Sequence, residues 1–121
     1  MILEDCVIDF TLKNDGMVKN KGQVTIMPAG IFQNHGIFES KSNGKLVNKG
    51  NFFNGGVLIN RGYIDNQHVF SNSKMIENLG TFLGEDQVIN TKNISREGLV
   101  DGLNEDQIKK TASQLTMAYQ Y

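Results

Sequence analysis

One unit of six residues, Asn-x-Gly-x-apolar-x, recurs so regularly that it decides what this chain can fold into. From Ser42 the hexads run SNGKLV, NKGNFF, NGGVLI, NRGYID, NQHVFS, NSKMIE, NLGTFL, GEDQVI, NTKNIS and REGLVD, without a gap to Asp101. The fifth position is apolar every time: Leu46, Phe52, Leu58, Ile64, Phe70, Ile76, Phe82, Val88, Ile94 and Val100. Asn holds the first position in seven of these ten hexads. Upstream the unit returns as NDGMVK (14–19), NKGQVT (20–25), PAGIFQ (28–33) and NHGIFE (34–39). Two-residue insertions, at Ile26-Met27 and Ser40-Lys41, interrupt that half.

A period of six would smear the apolar residues around an α-helix, whose faces recur every 3.6 residues. It suits strands, because six is even and the fifth position always returns to the same side. Each hexad reads as a short strand at positions three to six with a corner at positions one and two. Asn and Gly fit such corners, since both tolerate positive φ and Asn can bond its own backbone. An antiparallel meander competes, but it needs strands of about four residues, short for a sheet. Winding the hexads into a coil is the other solution. Three hexads make a triangular turn of about 18 residues, and turns stack ~4.8 Å apart through parallel ladders. Glycine favours three per coil: it survives at Gly44, Gly62, Gly80 and Gly98, each 18 residues on. The fold class expected is therefore all-β, a triangular parallel β-solenoid closed by a short C-terminal helix. One wall would stack Leu46, Ile64, Phe82 and Val100, a second Phe52, Phe70 and Val88, a third Leu58, Ile76 and Ile94. Asn54, Asn72 and Asn90 would align as an amide ladder at one corner.

These residues resemble the hexapeptide-repeat, left-handed β-helix proteins, whose pattern sets a small residue four places after an aliphatic one. Leu46-Val47-Asn48-Lys49-Gly50 and Leu58-Ile59-Asn60-Arg61-Gly62 follow it, and about three quarters of the chain is covered. Short Asn/Gly-rich repeats also look like segments of bacterial, archaeal and phage surface proteins. The sequence departs from the family by placing Val47, Phe53, Ile59 or Asp65 where glycine often follows the aliphatic residue. It also places His68, Lys74, Asp86 and Lys92 at sites expected to be small and inward. The family's acyltransferases use a catalytic histidine near a coil, which makes His68 the residue to carry over.

The whole chain reads as one domain of 121 residues. It divides into a capping strand over 1–13, a solenoid over 14–103 and a helix over 104–119. Asn104 serves as N-cap, Gln107 as the capping-box residue, and Ile108, Ala112, Leu115 and Tyr119 fall at helical spacing. Cys6 is the only cysteine, so an intrachain disulfide and a CxxC site are excluded. Nothing approaches the ~20 apolar residues of a membrane span, and Glu4, Asp5 and Asp9 occupy the start that a signal peptide would make basic. A cytoplasmic location, in a host cell or virion, is expected rather than secretion. The net charge of −1 argues against nucleic acid as a partner. The charge is segregated: residues 1–15 hold four acids against Lys13, 16–76 seven Lys/Arg against two acids, and 77–106 seven acids against two basic residues.

No catalytic constellation emerges, and no cofactor or metal is expected. His35 and His68 fall in different hexads, outside any metal-ligand or nucleophile motif. Positions expected to face outward carry Val47, Phe53, Ile59, Leu83 and Ile89, with Val57, Tyr63, Val69 and Met75 besides. So many apolar groups call for a cover, either the C-terminal helix or another subunit. The expectation is a non-catalytic protein-binding solenoid that forms a dimer or trimer and contacts another protein, such as a small phage or mobile-element protein inhibiting a host target. A structural element of a filament or virion, and an acyltransferase-like enzyme, are the alternatives. Phe53, Ile59 and Tyr63 are the expected apolar contacts. Lys49, Arg61 and Lys74 are expected to form a basic ridge beside them.

Overall fold

In an extended chain successive side chains point to opposite sides. If the fifth position of each hexad faces inward, the fourth and sixth face outward and the following Asn faces inward again. The structure, a computed structural model describing residues 1–89, 94–95 and 106–108, takes this phase. The first coil comprises β1 (Ile2–Leu3), β2 (Cys6–Ile8) and β3 (Thr11–Asn14). The second comprises β4 (Met17–Asn20), β5 (Gln23–Ile26) and β6 (Ile31–Asn34). The third holds β7 (Ile37–Ser40), β8 (Lys45–Asn48) and β9 (Asn51–Asn54), and the fourth β10 (Val57–Asn60), β11 (Tyr63–Asn66) and β12 (Val69–Asn72). β13 (Met75–Asn78) and β14 (Thr81–Leu83) begin a fifth, and β15 (Ile94–Ser95) adds a strand to the first wall.

Every pairing is parallel, which excludes the meander. Wall one runs β1-β4-β7-β10-β13-β15, wall two β2-β5-β8-β11-β14 and wall three β3-β6-β9-β12. This is the triangular parallel solenoid, three strands per coil, of the hexapeptide-repeat type. The strands begin one residue later than expected and end on the Asn, leaving positions two and three as the corner. Downstream the register is 18 residues, as in Leu46 beside Ile64. The insertions lengthen it upstream, to 22 between Gln23 and Lys45. They occupy the turns 27–30 and 41–44, each closed by a backbone bond: Gly30 N–H to the Met27 carbonyl at 2.7 Å and Gly44 N–H to Lys41 at 2.8 Å.

The three expected stacks are present over the described residues. Leu46, Ile64 and Phe82 align on wall two, Phe52, Phe70 and Val88 on wall three, and Leu58 and Ile76 on wall one, where Ile94 takes the next register position. Val100 lies outside the described residues. The upstream half extends these columns with Val18 and Phe38, Val24, and Phe32. Phe32, Phe52 and Phe70 stack face to face at 4.9 and 4.6 Å, and the edge of Phe38 closes on two of them. Each buried side chain contributes roughly 1.5–3 kcal/mol and each aromatic pair about 0.5–1.5 more. This column is the main stabilising term.

The asparagines are interior residues, not exposed corners. Asn14, Asn34, Asn54 and Asn72 form one ladder in which each Nδ2 donates to the next Oδ1 at 2.9 Å. Asn14, Asn34 and Asn54 also donate to a backbone carbonyl one coil on, as Asn54 does to Met75 at 2.9 Å. Shorter ladders link Asn48 to Asn66 and Asn60 to Asn78, both at 3.0 Å. Asn90 lies outside the described residues. The corner glycines likewise serve another purpose than positive φ, which among the described glycines only Gly84 adopts, at 79°. A Cβ at Gly36 would collide with the Gly16 carbonyl oxygen, and one at Gly62 with Gly44. At these two corners the coils stack too closely for a side chain.

That requirement explains why the first coil escapes the sequence reading. Residues 1–13 are not one capping strand; together with Asn14 they build β1, β2 and β3, a complete coil of the solenoid. No described residue lies beneath the corners of this coil, which carries Glu4 and Phe10 where register places Gly22 and Gly30 in the second. Gly16 meets nothing within 4 Å. At the other end, residues 106–108 are helical, and the rest of the expected helix over 104–119 lies outside the described residues. A single 3₁₀ turn, Glu85–Gln87, follows β14. No helix among the described residues is long and apolar enough to cross a membrane.

Candidate interaction surface

The interior is filled by side chains, so contacts with other molecules fall to the outer walls, the corners and the coil ends. On wall one the outward residues Ile37 and Ile59 are fully buried beneath Ile108, with Met17 and Val57 packed at the margin. Among the described residues the group that covers them is Ile108 of this same chain. Under the same face Glu39 is 3 % exposed and ion-paired with Lys41 at 3.1 Å and Arg61 at 2.8 Å. Arg61 Nε donates to Glu39 Oε2. Desolvated carboxylates persist when paired this way.

Walls two and three carry exposed outward side chains among the described residues. On wall two Lys45 Nζ lies 5.1 Å from the Tyr63 ring centre, a cation–π contact. Leu83 is exposed on the same wall, whereas Val47 is buried. On wall three Phe53 and Ile89 are exposed, separated along the outer column by Ser71.

The structure distributes the expected contact residues around the prism. Phe53 stands on wall three, Tyr63 on wall two, and Ile59 is buried on wall one. Lys49 occupies the corner between walls two and three, Arg61 that between one and two, and Lys74 that between three and one. The basic ridge is not formed. Residues on successive hexads are one corner apart, and residues on successive coils share a corner only when spaced by a full coil. Lys45 and Glu39 were not singled out from sequence. The signal that places Lys45 beside Tyr63 is the 18-residue register, whereas the 22-residue step that sets Glu39 beside Arg61 is hidden by the upstream insertion.

No known protein family, curated protein or solved structure matches the chain.

His68 is exposed at a corner, its Nδ1 3.0 Å from the Gly50 carbonyl oxygen. A corner of this geometry accepts His68 and Lys74, both exposed, at sites expected to be small and inward. His35 lies on a different corner. Among the described residues no three His, Cys, Asp or Glu side chains come together to hold a metal ion. Burial, and then the charge of Asp5, raise the Cys6 thiol above its ordinary pKa, which lowers its thiolate fraction and its reactivity at neutral pH.

Proposed function

We propose that this chain is a non-catalytic protein-binding solenoid. The observation that carries the reading is the filled interior: Phe32, Phe52 and Phe70 are in stacking contact along the axis and fully buried. A ligand therefore meets a rigid exterior in which strand spacing fixes the separation of projecting side chains at ~4.8 Å steps. Such a surface suits recognition of another macromolecule better than enclosure of a small substrate, which uses concave pockets. Phe53, Tyr63 and Leu83 are the apolar and aromatic groups that walls two and three present.

The test is affinity capture from the native host with the purified chain as bait, compared with a Phe53→Ser, Leu83→Ser variant. A partner retained by the parent and lost with the variant is the expected result. Turnover of a coenzyme A thioester by the purified chain would replace this reading with the enzymatic one.

A further inference from the structure

The first coil has a side that no described residue covers. β1, β2 and β3 stand at the ends of their sheets and each pairs with one strand only. The carbonyls of Leu3, Ile8, Phe10 and Asn14 accept from amides of the second coil. Successive residues of a strand address opposite neighbours, so Ile2, Val7, Thr11 and Lys13 turn their amides and carbonyls to the free edge. Around that edge Leu3, Cys6 and Leu12 are only partly buried. Ile2, Val7 and Phe10 are 59, 58 and 52 % exposed. Carboxylates mark all three corners of this coil: Glu4 and Asp5, Asp9, and Asp15. β2 runs between the first two of these corners. An open depression of about 410 Å³ beside it is lined by Asp5, Cys6, Val7, Gln23 and Thr25.

We propose that the free edge of β2 takes up an extended segment of a partner protein, apolar in its middle and carrying Lys or Arg at each end. The proposal rests on the protein-binding reading and names its surface and the partner's chemistry. Backbone groups of the added strand pair with the Val7 amide and carbonyl, as in strand addition to any open sheet edge. Its apolar side chains cover Val7 and Phe10. Its basic ends meet Glu4 on one side and Asp9 on the other, the Asp5 carboxylate being turned to the Gln23 amide of the second coil. A second copy fits the edge less well, because it brings like-charged corners together. A copy stacked in the same direction would also meet Glu4 and Phe10 where every internal contact of coils one and two has glycine.

The experiment titrates the whole protein with the synthetic peptide Lys-Val-Thr-Val-Thr-Val-Lys and follows backbone amide shifts. Binding centred on Val7 is expected, weakening roughly tenfold as salt rises from about 0.01 to about 1 M and the Debye length contracts from about 30 to about 3 Å. The same peptide with Glu in place of Lys should not bind. Glu4→Lys with Asp9→Lys should weaken the Lys peptide by about tenfold or more. Val7→Pro should abolish binding and keep the fold, because the amide it removes faces the open edge. Equal binding of both peptides, or binding of neither, overturns the proposal. So does a dimer of the parent chain that Val7→Pro dissociates, which would assign the edge to a second copy. If Val7→Pro still captures the host partner that the parent captures, the edge proposal fails and the protein-binding function stands.

Discussion

At Gly36 an added methyl group would be driven into the Gly16 carbonyl oxygen of the preceding coil, whereas at Gly16 it would meet nothing within 4 Å. The two residues share a corner and a turn type, so they separate crowding from backbone preference. Gly36→Ala should cost about 2–3 kcal/mol, the scale of overpacking a tight site. Gly16→Ala should be neutral or stabilise by about 0.5 kcal/mol through the unfolded chain. Denaturant melts of the two variants check this, and equal losses would mean that conformation rather than contact selects glycine. A similar contrast exists among the asparagines. Asn54 receives a bond from Asn34 and donates to Asn72, Gly56 and Met75. Asn66 ends its ladder, because Gly84 follows in the stack, and its Nδ2 is buried without a partner. Asn54→Ala should therefore destabilise by about 2–4 kcal/mol and Asn66→Ala by at least ~1 kcal/mol less. The hexad pattern alone carries part of this chemistry. It aligns Asn54 with Asn72, but the upstream rungs Asn14 and Asn34 are 20 residues apart, out of step with 18.

At the scale of elements, the apolar column and the covered wall are separate structures. Ile108 packs on Ile37 and Ile59, on the outside of wall one, while the column fills the inside. Ile108→Ser should then cost roughly 1.5–3 kcal/mol, remove the cover and leave the strands intact. An unchanged β-type circular dichroism spectrum with increased binding of an apolar dye is the expected readout. Loss of the β signal would show that the cover is needed for the coils themselves. Two basic corner residues have different roles, because Arg61 pairs with the buried Glu39. Lys49 is exposed, and Lys49→Glu should shift stability by no more than ~0.5 kcal/mol. Arg61→Glu sets a second carboxylate beside Glu39 and should cost about 3–5 kcal/mol. Thermal melts distinguish the two, and equal effects would show that the Glu39 pair contributes nothing. Sequence order alone made Lys49 and Arg61 look equivalent, because a linear repeat does not show that Glu39 lies beside Arg61. The walls themselves were legible: a fixed period places Leu46 over Ile64 and Phe52 over Phe70 whatever the handedness. The first coil was not legible, since Gly22 and Gly30 answer to the coil beneath them, and no described residue lies beneath Glu4 and Phe10.

Across the molecule, each coil is held by ladders to the coils before and after it, so local stability depends on how many neighbours a coil has. The third coil is bonded on both sides and contributes Leu46 and Phe52 to the centre of the column. The first coil is bonded on one side, through strands of two, three and four residues, and its inward residues Leu3, Cys6 and Leu12 are partly open. Opening it removes one set of ladders and one layer of apolar contact, while opening the third coil breaks two of each. Native-state hydrogen exchange should therefore rank the amides of β7, β8 and β9 as the slowest and those paired only between the first and second coils as markedly faster. Breaking the column at its centre should erase the difference: Phe52→Ala, costing about 3–5 kcal/mol, should bring the third coil's protection down towards that of the first. Uniform protection from β1 to β9 in the parent chain would instead mean that the solenoid opens as one cooperative unit. In that case the free edge of the first coil would be as rigid as the centre, and an added strand would find it already in the conformation it pairs with.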